Sequence, residues 1–300
     1  MSVPSRTAAA VALCAAVFAI SWASILVRLC HAPSLAIAFW RVLFATAILL
    51  PWGVTARRPT SWRTAALAAA AGALLALHFA AWIHSLALTS VASSVVLVTT
   101  QPVFTAAFGP LLLGERPGPL GLSAAALALA GTAVLAGGDL AVGGKALLGD
   151  LLALTGAATA AAYFMIGRRV RERIDFVPYL VLVNGSAAAV LLLLALAAGA
   201  PLRGFPAATW WLLLVMAIGP HLTGHGLLNW SVRRLRAFTV NMAVLGEPVL
   251  ATIYAAALFG ERPGGAFLAG AAMIACGLVL AAREEARRGG YNPPGAGAAA

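Results

Sequence analysis

SVASSVVLVTTQPVFTAAFGPLLLGERPGPLGLSAAALALAGTAVL, Ser90 to Leu135, has a counterpart later in the same chain. At a constant shift of 146 positions and without gaps it falls on Arg236 to Ala281. Gln101-Pro102 falls on Glu247-Pro248. Gly114-Glu115-Arg116-Pro117-Gly118 falls on Gly260-Glu261-Arg262-Pro263-Gly264, and Gly131 falls on Gly277. Each copy reads as an apolar helix with a central proline, a tight turn, and a second apolar helix. An identical five-residue turn at one offset marks an internal repeat, and repetition of this kind decides architecture before any single motif.

The composition says which solvent surrounds the repeat. The 300 residues are 62% hydrophobic and 10% charged, with mean hydropathy +0.95. Soluble domains carry about 25% charged residues. No Lys, Arg, Asp or Glu occurs between Arg63 and Glu115, and Thr7–Val27, Gly118–Gly138, Phe176–Leu202, Gly204–Val232 and Pro263–Ala282 are equally clean. A spanning helix needs about 20 such residues. The pattern predicts an all-α polytopic membrane protein with ten spans near 8–28, 34–53, 62–87, 91–113, 118–137, 148–168, 176–198, 207–230, 237–259 and 264–282. The first run is too long for a signal peptide and is retained as a helix. Cys14, Cys30 and Cys276 show no paired spacing and read as small hydrophobes.

Net charge +11 would suggest nucleic acid in a soluble protein, but here the positions decide. With the N-terminus placed inside, the inner segments hold Arg6, Arg57, Arg58, Arg63, Arg116, Arg168, Arg169, Arg171, Arg173, Arg233, Arg234, Arg236, Arg283, Arg287 and Arg288. The outer side holds only Arg28, Lys145, Arg203 and Arg262, and Arg41 lies within a span. The positive-inside rule then predicts cytoplasmic termini. Five spans per half is an odd number, so the second half enters the membrane upside down. Inverted halves put a binding site near the midplane between the repeats. The first repeat is expected within 1–140 and the second within 146–282. Residues 283–300 are expected to form a disordered cytoplasmic tail after a frayed helix end. A weaker echo, Ser21-Trp22 to Arg28 over Ala162-Tyr163 to Arg169, runs at a shift of 141.

These residues resemble the EamA family of the drug/metabolite transporter superfamily. The resemblance covers about residues 8 to 282. It rests on the double repeat, on Phe39-Trp40-Arg41, on Gln101-Pro102 and Glu247-Pro248, and on both Gly-Glu-Arg-Pro turns. It implies a secondary transporter, commonly an exporter of small metabolites or toxic compounds, and does not identify the substrate. The chain has no phosphate-binding loop with Lys, so ATP hydrolysis is not expected.

Within the spans, polar residues are the functional candidates. Glu247 lies about 14 Å from Phe238 and about 18 Å from Phe259 by helical rise, close to mid-bilayer. It reads as a coupling-proton or cationic-substrate site, or else as a fixed partner of Arg41 or a carboxyl facing interior water. Pro248 and Pro102 are expected to kink their helices. Gln101 is the neutral twin of Glu247. Arg41 reads as an anion receptor, as a snorkelling arginine, or as the neutraliser of Glu247. Trp40 and Trp22 are candidate cavity walls. Trp52, Trp62, Trp210 and Trp211 read as interfacial anchors.

His78, His225, Asn184, Asn229 and Asn241 are further cavity candidates. His221 and His225, four residues apart, have no Cys or carboxylate placed to complete a metal site, so no metal is expected. Gly219, Gly224 and Gly226 predict a loosened helix around that pair. No cofactor and no enzymatic centre are expected, since no nucleophile–base pair or dicarboxylate set is visible.

The function expected is a proton-coupled exporter of a small amphipathic metabolite, an amino acid or organic cation, working by alternating access in a bacterial cytoplasmic membrane. An importer or exchanger of the same fold is the alternative, with a non-transporting scaffold behind it. The partners expected are that small-molecule substrate and the lipid bilayer. Nucleic acid is not expected, and a homodimer is left open.

Overall fold

A computed structural model describes residues 6–53, 60–136, 144–260 and 263–288. These form ten helical rods: α1 (Ala8–Leu29), α2 (Ser34–Gly53), α3 (Trp62–Ser85), α4 (Val91–Leu112), α5 (Pro119–Ala136), α6 (Gly144–Val170), α7 (Phe176–Ala197), α8 (Ala207–Ser231), α9 (Ala237–Phe259) and α10 (Phe267–Arg287). Nine of them are long and apolar enough to cross a bilayer, and α5 is a shorter apolar helix. Arg57, Arg58, Glu261, Arg262 and the tail from residue 289 lie outside the described residues.

Two helices run beyond their expected bounds, and for the second the cause is visible. Helix α6 begins at Gly144 rather than 148. Helix α10 continues past residue 282 to Arg287 because its end is tied down. The Glu284 carboxylate accepts from the Gly118 N–H at 2.8 Å and pairs with Arg288 at 2.5 Å. Glu285 accepts from the Thr239 hydroxyl at 2.6 Å and from the Arg236 N–H at 3.3 Å. Residues 283–287, expected in the tail, are therefore ordered helix.

The helices start and stop where local chemistry dictates. Ser90 accepts from the Ser93 N–H at 3.0 Å and caps α4; Ser61 accepts from the Thr64 N–H and caps α3. Gly114 (φ 68°) and Gly260 (φ 67°) end α4 and α9 in the left-handed conformation that favours glycine. They are repeat mates at the 146 shift, so the two halves terminate these rods by the same device.

Packing follows a two-fold pattern. Helix α5 lies on α10, α2 on α7 and α4 on α9, so each meets its own counterpart. Helix α3 lies on α6, and in the mirrored place α8 lies on α1. With five crossings per half, the axis relating the halves lies in the membrane plane. Close approach depends on small residues. A Cβ on Gly131 would sit 2.7 Å from the Gly270 carbonyl oxygen, and one on Gly277 would sit 2.7 Å from that of Ala124.

At one membrane face the first Gly-Glu-Arg-Pro-Gly turn binds the halves together. Glu115 pairs with Arg168 and accepts from the Ala237 N–H at 3.1 Å. Arg168 also donates to the carbonyls of Val232 and Leu235. Burial pushes the Glu115 carboxyl up from its ordinary value, against the opposing pull of Arg168 and the Ala237 amide. Removing one partner strands the other, which in buried pairs costs about 3–5 kcal/mol. Arg168→Ala is expected to lower the thermal unfolding midpoint in detergent strongly. Glu115→Gln is expected to lower it less, since the amide oxygen keeps the Ala237 bond and sheds the desolvated charge.

Candidate functional site

Helices α4 and α9 both break at the same repeat position. The first segment of α4 ends at Val98 and the second starts at Gln101; in α9 the corresponding residues are Val244 and Glu247. The causes are Pro102 and Pro248, each just inside the second segment. Neither ring has an N–H to give to the carbonyls of Val98 or Val244. In α4 the Thr99 and Thr100 hydroxyls donate back to Val96 at 3.0 Å and Leu97 at 2.7 Å, which eases the break. The expected kinks are thus present as breaks in both spans.

Two other rods are irregular. Helix α1 is interrupted at Ser21-Trp22, where the Ser21 hydroxyl donates to Val17 at 2.6 Å. Helix α8 widens into a π-type stretch over Ala217–His225 around Pro220. That is the loosening expected from Gly219, Gly224 and Gly226. Gly224 also lets α8 lie close on α1, where a Cβ would be 3.2 Å from the Ile20 backbone nitrogen.

The breaks face a small cavity of about 20 Å³, room for about one water. Val98, Gln101, Val244 and Glu247 line it from the breaks. Ala23 and Phe164, repeat mates at the 141 shift, line it from α1 and α6. His78 and Trp82 of α3 face Pro220 and His225 of α8. The lining obeys the same two-fold as the fold. Its only ionisable carboxyl is Glu247, 6% exposed, against the neutral Gln101 at 4%. Polar atoms remain unpaired here: the Gln101 Oε1 and the His225 Nδ1 have no hydrogen-bond partner.

The structure places the sequence candidates as follows. Glu247, Gln101, His78 and His225 come together at the cavity. His78 is oriented by a 2.9 Å bond between its Nδ1 and the Gly156 carbonyl. Arg41 is fully buried and is not among the residues lining the cavity; its guanidinium lies 4.2 Å from the Phe79 ring centroid. The three asparagines are committed to other partners. Asn184 accepts from the His221 Nε2 at 3.1 Å, Asn229 bridges Tyr163 and Tyr179, and Asn241 donates to Thr105 at 3.0 Å.

Trp22 and Trp40, expected as cavity walls, are not among the residues lining this cavity. Trp22 stacks on Tyr254 at 4.3 Å, and Trp40 donates to the Leu202 carbonyl at 2.7 Å beside Trp210. Trp210, expected as an interfacial anchor, belongs to that aromatic cluster, whereas Trp52, Trp62 and Trp211 are exposed. Among the described residues no three His, Cys, Asp or Glu side chains gather as a metal-binding group.

Sequence reading missed Phe164, Trp82 and Ala23. The 141 shift that pairs Ala23 with Phe164 was the available signal, and Trp82 stands one helical turn from His78.

Comparison with known proteins agrees with this geometry. The sequence profile of the EamA-like transporter family matches residues 6–137 and 147–283, one match per half. No curated protein matches the chain. A solved structure described only as the crystal structure of a protein superposes with a TM-score of 0.76 at 21% identity. That alignment covers 95% of this chain and 99% of the other, and at such identity it shows a shared fold. Both repeats carry the family's profile, so the chain belongs to the EamA-like transporter family of the drug/metabolite transporter superfamily.

Proposed function

We propose that the protein is a proton-coupled exporter of a small amphipathic metabolite, an amino acid or an organic cation. Family membership supports a membrane transporter. The finer reading rests on one observation: the only carboxylate of the shared cavity, Glu247, stands at the broken ninth span, where the two inverted halves meet. An ionisable side chain at that depth costs several kcal/mol unless function retains it. Its carboxyl alternates between a protonated form and an ionised form bound to the cationic group of the cargo, so that a proton enters as cargo leaves, and the halves rock to expose the cavity to each side in turn. The distribution of arginines supports both termini in the cytoplasm, and the low Lys and high Ala, Gly and Arg content supports a bacterial cytoplasmic membrane.

The test uses purified protein in vesicles holding a pH-sensitive dye. Candidate amino acids and organic cations are added one at a time under an imposed pH gradient. The expected result is a change of internal pH with at least one cargo, lost in Glu247→Gln. In vesicles of known orientation, the sign of the dye response separates export from import. Cargo movement with no proton flux would refute the coupling.

A further inference from the structure

Arg41 is fully enclosed, and none of its three side-chain nitrogens has a hydrogen-bond partner. Two readings of it fail on that geometry. It does not snorkel, since no part of it reaches the surface. Nor does it neutralise Glu247 by contact, because the two make no ion pair and act on each other only through space. What it touches is Phe79, whose ring covers the guanidinium at 4.2 Å. A cation–π contact returns less than desolvating an ion costs. The cover therefore leaves the cation under-compensated. Phe79 also packs on His225, ring centroids 5.1 Å apart, and His225 lines the cavity, so one ring touches both the guanidinium and a cavity wall residue.

We propose that Arg41 is the receptor for a carboxylate on the transported molecule, and that Phe79 is a movable cover that turns aside to admit it. This deepens the transport reading and rests on it. The planar guanidinium fork matches a carboxylate with two parallel hydrogen bonds. Electroneutrality narrows the class further. Arg41 and Glu247 together carry no net charge, so a small zwitterion adds none. A phosphate dianion would leave surplus negative charge in a dry site. The carboxylate falls to Arg41 and the ammonium to the side of Glu247.

The test is binding without flux, so that failure of coupling and failure of this assignment are separable. Thermal shift is measured in detergent for wild type, Arg41→Met and Arg41→Lys. The probes are the standard amino acids, their methyl esters, the matching decarboxylated amines, and benzoate. The expected result is stabilisation of wild type by one or more carboxylates and weaker or no response to the matching ester. Arg41→Met is expected to raise Kd about ten- to hundredfold, and Arg41→Lys to retain part of the affinity, since the charge stays but the fork is lost.

A second readout needs no variant. Phenylglyoxal modification of Arg41, followed by peptide mass spectrometry, is expected to slow when the stabilising carboxylate is present. Conservative Phe79→Leu is expected to speed it. The assignment is overturned if no carboxylate binds, if ester and acid bind alike, or if both Arg41 variants bind as wild type does.

Discussion

Glu247→Gln is expected to lower transport about ten- to hundredfold while leaving the protein folded and abundant. The magnitude is that of one lost hydrogen bond to a charged group, about 1.5–3 kcal/mol. The structure says why the fold should tolerate the change. Gln101 occupies the symmetry-related position, is buried to the same degree, and starts the second segment of its own broken helix in the same way. A glutamine at 247 makes the two halves more alike. Glu247 makes no hydrogen bond with Arg41 that the substitution would break. Membrane abundance and gel-filtration profile check the fold, and initial transport rates check the function. A collapse of abundance would make Glu247 a structural charge.

Gly131→Val and Gly277→Val are each expected to destabilise the packing of α5 on α10 strongly. Overpacking ordinarily costs about 1–3 kcal/mol and occasionally more. These sites belong at the upper end because the obstacles are backbone atoms. The first β-carbon at Gly131 would already lie 2.7 Å from the Gly270 carbonyl oxygen and 2.9 Å from the Ile274 nitrogen. At Gly277 it would lie 2.7 Å from both the Ala124 oxygen and the Ala128 Cβ. Relief requires α5 and α10 to separate. Folded yield after detergent extraction is expected to fall about tenfold or more, as a loss of 1.4 kcal/mol or more implies. Gly226→Ala is the control. A Cβ there meets open space, and alanine is the better helix former, so stability should hold or rise.

Several features were legible in the sequence because they follow from covalent constraints. Proline lacks an N–H, so Pro102 and Pro248 announced the breaks in α4 and α9. Glycine alone adopts positive φ freely, so Gly114 and Gly260 announced the rod ends. Charge is costly in lipid, so Glu247 and Arg41 stood out at once. Other features depend on rotation about a helix axis, which sequence adjacency does not reveal. Trp40 neighbours Arg41 in the chain yet points to Leu202 and Trp210. Trp22 precedes the cavity residue Ala23 yet stacks outward on Tyr254. The interruption of α1 has no proline to mark it. Polar residues beyond 282 read as tail because their partners, Gly118, Arg236 and Thr239, lie far away in sequence. Asn184 and Asn241 are as polar as Gln101, and only the tertiary structure shows that Asn184 pairs with His221 and that the Asn241 amide nitrogen donates to Thr105 and Ala237.

The account stands on the cavity at the paired breaks being open to each side of the membrane in turn. Ala23→Cys, in a background where Cys14, Cys30 and Cys276 are replaced by alanine, puts a single thiol on its wall. A membrane-impermeant thiol reagent is then applied to sealed vesicles of either orientation, and the modified fraction is followed over time. Modification from both faces is the predicted result, as alternating access requires of one buried position. Modification from one face only, or from neither, would contradict it.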